Sequence, residues 1–350
     1  MTEEATRERR TTAGRPPNWT PTTLIGCGHA YPSQSIDNEA YFAQCRFPIS
    51  DDKPALTRDT RMINRYYCAE GENTFTLARD ASRRALAASG VSAQELDVVI
   101  VSSCTTIPGF NYPNPGDPVS ADLSTLILRD LGRDGALGFD LKATYCAGFL
   151  RALQVMDGLL QNPNYRTGLI VASDVGGRFA TAESNRSAFC FVVGDSAGAV
   201  VVQKKGTASL PGILDYEGAV YPSQMDLTKL GVDGKSLVVR RSTGDVGLAH
   251  MIEVARSILV RQNLRPENVD WLLPMQGYAP AIDTLVRELE WPKERVLWFG
   301  DRTGYAASAS IPTCLSAQVE AGRIRKGDLI LSLAAGAGFN SGGVLYRFAD

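Results

Sequence analysis

One cysteine stands where a thiol could do chemistry. Cys146 follows the strand-like run GFDLKATY and opens the apolar run CAGFLRALQVMDGLL, in which Phe149, Leu153, Met156 and Leu160 recur at helical spacing. At a helix N-terminus, unpaired N–H groups and the positive end of the helix dipole favour the thiolate. Thiolate is the nucleophilic form, so the position makes Cys146 a candidate acyl acceptor. Ala143, Ala147 and Gly148 are small and leave room for a thioester. The same pattern also suits a cysteine that only fills core space, and spacing alone does not separate the two.

The other cysteines, Cys27, Cys45, Cys68, Cys104, Cys190 and Cys314, form no CxxC pair, and several lie in apolar runs. That usage fits free thiols in a reducing cytoplasm. With only His29 and His250 beside them, no zinc or other metal site is expected. His250 falls opposite the apolar face of its helix and is expected near solvent, while His29 ends an N-terminal strand-like run.

The elements that must position Cys146 are written twice. Amphipathic helix, polar turn and apolar strand follow one another in LARDASRRALAASG, VSAQELD and VVIVSS. They return in LAHMIEVARSILVRQN, LRPENVD and WLLPMQ, with Asp97 and Asp270 in matching places before the strands. Leu77, Ala81, Ala85 and Ala88 mark one helical face, and Leu248, Ile252, Ala255 and Leu259 the other. Gly90 is a natural helix stop. GDSAGAVVVQ and GFNSGGVLYRF close the two halves, and a second helix begins near Ala306, as one does at Cys146. The organisation read from this is a flexible tail over residues 1–21, an N-terminal half over 22–205 carrying Cys146, and a C-terminal half over 206–350.

The composition excludes several classes of function. A net charge of -2 gives no reason to expect nucleic acid or an anionic membrane as partner. No apolar run approaches the roughly 18 residues of a membrane span. The polar, Arg- and Thr-rich start has no apolar core, so it does not read as a secretory signal, and a cytoplasmic location is expected.

DLKATYCAGF, VASDV at 171–175, GDSAGA at 194–199 and GRIRKGDLILSLAAGAGFNSGGVLYRF at the C-terminus resemble the ketoacyl synthase III family of the thiolase superfamily, over residues 22–350. The resemblance implies an α/β thiolase fold, two duplicated halves packed as a five-layer αβαβα core, and a homodimer. It implies that Cys146 carries an acyl group taken from a coenzyme A or acyl carrier protein thioester, with no resident cofactor. The thioester oxygen would be held by the backbone N–H of Cys146 and that of Ala337 or Gly338, in a loop whose glycines let amides approach an oxyanion.

The chain departs from the family pattern at two positions. Met275 stands in Pro274-Met275-Gln276 where the family has histidine, and Tyr305 follows Gly304 where it has asparagine. Those two residues hold the enolate of a decarboxylating malonyl thioester, and losing one such donor costs on the order of 10²–10³ in rate. Methionine donates nothing. The resulting expectation is an acyltransferase that passes the acyl group to a small-molecule acceptor in antibiotic-type metabolism. Some relatives of the family in such pathways transfer acyl groups without elongating them. The alternatives are a condensing enzyme with Tyr305 as its donor, or a catalytically silent partner of a condensing enzyme. For substrate access the resemblance points to Arg61, in Thr60-Arg61, and to Arg65 as phosphate contacts. Phe110 and Tyr112, in the loop at 105–118, would wall the acyl pocket, and Tyr278 would orient the acceptor.

Overall fold

Strands and helices alternate through most of the computed structural model, which describes residues 19–44, 53–105, 122–142, 145–177, 188–204, 212–230, 237–240 and 242–349. The expected N-terminal tail, apart from residues 19–21, lies outside these residues, as do Phe110 and Tyr112. The strands are β1 (Thr22–Ala30), β2 (Gln34–Asp37), β3 (Asn64–Tyr67), β4 (Val98–Ser102), β5 (Leu137–Leu141), β6 (Thr167–Val175) and β7 (Asp195–Lys204). They continue with β8 (Ile213–Val220), β9 (Thr228–Leu230), β10 (Leu237–Val239), β11 (Trp271–Pro274), β12 (Leu329–Gly336) and β13 (Asn340–Arg347).

Two sheets carry the architecture, with strand orders β1-β7-β6-β4-β5 and β11-β12-β13-β8. Reading β4-β6-β7-β1 beside β11-β12-β13-β8 gives one parallel pair followed by two antiparallel pairs in each. The repeat seen in the sequence is therefore a repeat of topology, with β5 as an added edge strand. The matched aspartates do the same work twice. Asp97 accepts the N–H of Arg166 (2.7 Å) and Thr167 (3.0 Å) at the start of β6, and Asp270 accepts that of Leu329 (2.8 Å) at the start of β12.

Five layers result. The Thr74–Ser89 and Leu123–Asp130 helices bury Leu77, Ala81, Leu126 and Ile127 against the outer face of the first sheet. The Thr243–Arg261 and Ala279–Glu288 helices bury Val254, Ile258 and Leu285 against the outer face of the second. Between the sheets lie the Gly148–Leu159 and Ser310–Glu320 helices, whose Phe149, Leu153, Met156, Ile311 and Leu315 share one core with both. Strands covered on both faces become continuous apolar runs, and β4, β6 and β12 are buried along their whole length. Local signals fix the helix ends. Asn73 Oδ1 accepts the N–H of Phe75 (2.9 Å) and Thr76 (3.0 Å), and Gly90 ends that helix at φ 66° in the left-handed region.

His250 corrects an expectation. Its ring is not near solvent but stacks on Tyr221 at 3.7 Å between ring centres and has Nε2 2.8 Å from Gln224 Oε1. The Pro222–Leu227 turn covers the helix face that periodicity alone leaves open. Among the described residues no helix is long and apolar enough to cross a membrane.

Candidate active site

Cys146 sits in a single 3-10 turn, Tyr145–Ala147, between β5 and the central Gly148–Leu159 helix. Tyr145 takes φ 43°, a conformation that costs an aromatic residue energy and aims the next side chain sharply. This turn packs on a second one, Ala307–Ala309, where Ala307 takes φ 37°. Strained backbone thus gathers at one point between the two halves.

The sulfur does not rest as a helix-stabilised thiolate, as its position in the sequence suggests. Burial pushes the Cys146 thiol up to about 11, and the nearby Asp174 charge adds to the rise. Against this work the Tyr305 hydroxyl and the backbone N–H groups of Cys146 and Ala337, all hydrogen-bonded to the sulfur. Cys146 precedes the first α-helical residue by one short turn, so desolvation outweighs the end of the helix.

Of the two amides considered for the glycine-rich loop, it is that of Ala337 which meets the sulfur. The loop joins β12 to β13, whose last paired residues are Gly336 and Asn340. Asn340 Nδ2 donates to Ala337 O at 2.8 Å, which turns the peptide, and Gly338 takes φ 120° next to it. Asn340 is missing from the sequence reading. Only its place in a turn between two glycine-rich strands hints at this clamp.

Tyr305 is 3% exposed, and its hydroxyl oxygen lies 3.8 Å from Met275 Sδ as well as against the Cys146 sulfur. The backbone holds it from both sides: Tyr305 N–H donates to Val192 O at 2.7 Å, and Gly194 N–H donates to Tyr305 O at 3.0 Å. Gly194 and Gly304 touch there, since a Cβ built on Gly304 would lie 2.7 Å from Gly194 Cα. Met275 is set by Gln276, whose buried amide donates to Pro274 O (2.7 Å) and Leu297 O (3.0 Å) while its oxygen accepts Phe299 N–H (2.7 Å). The structure therefore brings Cys146, Tyr305, Met275 and Ala337 together.

Asp174, at the end of β6, is 1% exposed and cross-links the surroundings of the thiol. Oδ1 accepts the N–H (2.8 Å) and thiol (3.1 Å) of Cys104, and Oδ2 accepts the N–H (2.8 Å) and hydroxyl (2.5 Å) of Ser308. Sequence reasoning used VASDV only as a family mark and missed this role.

The access residues fare differently. Arg65 is 0% exposed, so it cannot hold a phosphate at the surface. Its guanidinium lies between the rings of Tyr41 (4.7 Å) and Phe191 (4.6 Å) and donates to Asp37 O (3.0 Å) and Asn38 Oδ1 (2.7 Å). Cation–π contacts and carbonyl acceptors make this cation part of the core. Arg61 is exposed and paired with Asp283. Tyr278, 44% exposed, precedes the Ala279–Glu288 helix. It follows Gly277, whose Cα faces the Tyr305 ring.

A cysteine facing two backbone amides, at the seam of a duplicated αβαβα core, defines a thiolase-fold enzyme that transfers or condenses acyl groups. The chain belongs to the 3-oxoacyl-[acyl-carrier-protein] synthase III family. Residues 139–218 match the profile described as 3-Oxoacyl-[acyl-carrier-protein (ACP)] synthase III, and residues 259–348 that of its C-terminal region. The chain is 31% identical over 335 residues to a beta-ketoacyl-[acyl-carrier-protein] synthase III of Erythrobacter litoralis, covering 93% of this chain and 98% of that protein. A synthase III of Rhodospirillum centenum is 32% identical over 340 residues, with the same coverage of 93% and 98%. Among solved structures, the 3-oxoacyl-[acyl-carrier-protein] synthase III of Aquifex aeolicus superposes with a TM-score of 0.82 at 28% identity, covering 93% of this chain and 100% of that one. The priming beta-ketosynthase of the R1128 polyketide pathway gives 0.82 at 26% identity, covering 97% and 99%.

Proposed function

We propose that the protein is an acyltransferase. Cys146 takes an acyl group from a coenzyme A or acyl carrier protein thioester and hands it to a small-molecule acceptor, without decarboxylative condensation. The observation that carries this reading is the trio at the thiol. Tyr305 and Met275 occupy the positions where the family resemblance implies asparagine and histidine, and Tyr305 alone offers a proton.

In the first half-reaction the Cys146 sulfur attacks the thioester carbonyl while the N–H groups of Cys146 and Ala337 hold the developing oxyanion. The donor leaves as a thiol. In the second, an acceptor attacks the acyl-enzyme and Cys146 leaves as thiolate, stabilised by the Tyr305 hydroxyl. Tyr278 and Arg61 sit toward the surface, where they would orient the acceptor and meet the donor's phosphates. Coenzyme A or phosphopantetheine belongs to the substrate, and the reading needs no resident cofactor. A role in antibiotic-type biosynthesis suits an enzyme that does not elongate chains. Among the described residues β5 is the outermost strand of the first sheet, an edge that supports a homodimer in which this sheet continues into a second copy.

Intact-protein mass spectrometry after exposure to a panel of acyl thioesters, beside Cys146→Ala, tests the reading. A mass increase that vanishes in the variant is expected, and its size names the donor. No adduct from any coenzyme A or carrier thioester would overturn it in favour of a silent partner.

A further inference from the structure

The loop that carries Ala337 runs from Ala337 to Phe339, and both of its outer carbonyls are tied down. Asn340 Nδ2 donates to Ala337 O at 2.8 Å, and the backbone N–H of Tyr221 donates to Phe339 O at 2.7 Å. Tyr221 follows Val220, the last residue of β8, which pairs with Asn340 at the start of β13. The tyrosine therefore adds one rung to this ladder, and the rung reaches the loop itself. Its hydroxyl oxygen also lies 3.4 Å from Ser341 Oγ.

The Tyr221 ring is fixed in turn from the outer Thr243–Arg261 helix. His250 lies flat on it, with ring centres 3.7 Å and planes 13° apart, and its Nε2 is 2.8 Å from Gln224 Oε1. The same imidazole meets the Phe339 ring at 5.9 Å between centres. Phe339 is 2% exposed and rests on the helix at Gly247, where a Cβ would stand 3.4 Å from its Cζ. His250 Nδ1 is buried without a hydrogen-bond partner among the described residues, with the Glu253 carboxylate 3.7 Å away. An aliphatic side chain would fill this space without burying a polar atom. What the imidazole supplies is a flat face for the two rings.

We infer that His250 and Tyr221 are positioning residues of the oxyanion site. Together they hold Phe339, and through it the Ala337 N–H, at its distance from Cys146. Neither touches the reacting atoms. Gly336 and Gly338 flank the amide and leave its peptide free to turn, and an oxyanion donor acts only when it is already in place. The stack on Tyr221 removes that freedom from one side of the loop, as Asn340 does from the other.

The inference rests on Cys146 forming an acyl-enzyme, as proposed above. Two reagents for the Cys146 sulfur separate positioning from general damage. p-Nitrophenyl acetate reacts through a tetrahedral oxyanion before p-nitrophenolate leaves, whereas iodoacetamide loses iodide in one direct displacement. Both need thiolate and access, so the ratio of their rates, with Cys146→Ala as the blank, reads the oxyanion donors. The wild-type ratio is expected to exceed that of N-acetylcysteine. In His250→Ala it should fall about tenfold or more, while alkylation changes little because Tyr305 and the Cys146 N–H still hold the sulfur. Tyr221→Leu should behave alike, and His250→Phe, which keeps the flat face, should restore the ratio. Equal losses in both reactions, an unchanged ratio in His250→Ala, or a ratio that stays low in His250→Phe would overturn the inference. So would a wild-type ratio no greater than that of N-acetylcysteine. Should His250→Ala not fold, Tyr221→Leu measured against Tyr221→Phe decides. Because the ester is activated, a wild type that reacts with it but forms no adduct with any thioester would keep the inference and sink the acyltransferase reading alone.

Discussion

The Tyr305 hydroxyl lies between two sulfurs, hydrogen-bonded to Cys146 and 3.8 Å from Sδ of Met275. One hydroxyl proton cannot serve both. While Cys146 is a thiol, its S–H can point at the tyrosine oxygen and the tyrosine proton can rest on Met275, a weak acceptor. Once the thiolate forms, the proton turns to Cys146. Met275 thus gives the hydroxyl somewhere to wait without competing for it.

Removing that proton should make the thiol harder to ionise. A hydrogen bond to a charged group contributes about 1.5–3 kcal/mol. Tyr305→Phe is therefore expected to slow iodoacetamide alkylation of Cys146 by at least about tenfold below its pKa. The alkaline midpoint should move upward from about 11, since the lost donor had been lowering it. An unchanged midpoint would remove Tyr305 from the thiolate's shell.

The tyrosine depends on two glycines that touch no substrate. A Cβ on Gly194 would lie 2.7 Å from Thr303 O and 2.8 Å from Gly304 Cα. Gly194→Ala is expected to push the Tyr305 segment away from Cys146. Steady-state transfer should lose about tenfold or more in kcat with little change in donor KM, as when groups that act in the transition state are misplaced. A variant with wild-type kcat would mean that Tyr305 needs no such clamp.

Arg65 and Arg61 should separate by what their loss damages. Arg65→Ala leaves two facing rings and three oxygen acceptors without their cation, and a loss of about 3 kcal/mol in stability is expected by urea unfolding. Arg61→Ala removes an exposed pair worth at most about 1 kcal/mol, so its stability should stay close to wild type. A stable Arg65→Ala with raised donor KM would return Arg65 to the substrate path.

What the sequence disclosed follows from how each feature is encoded. The duplicated sheets were legible because period and order survive in residues such as Asp97 and Asp270, which fix the same strand starts in both halves. Cys146, Met275, Tyr305 and Ala337 were legible because family motifs flank them. The Asp174–Cys104 contact joins residues 70 apart in the chain and carries no local pattern. Arg65 misled for a related reason. A charged residue among polar neighbours reads as surface, and only the fold reveals the rings of Tyr41 and Phe191 on either side of it. Similarly, the ionisation of Cys146 is set by burial, which helix position alone does not reveal.

The fate of the acyl-enzyme separates transfer from condensation. Acylated protein, isolated from its donor, would be offered either a malonyl thioester or a simple amine or thiol, and the Cys146 adduct followed by intact mass. The adduct is expected to disappear with an amine or thiol, yielding the acylated acceptor, and to persist with the malonyl thioester without release of carbon dioxide. Carbon dioxide and a β-ketoacyl product from the malonyl thioester would contradict it and make the protein a condensing enzyme that manages with Tyr305 alone.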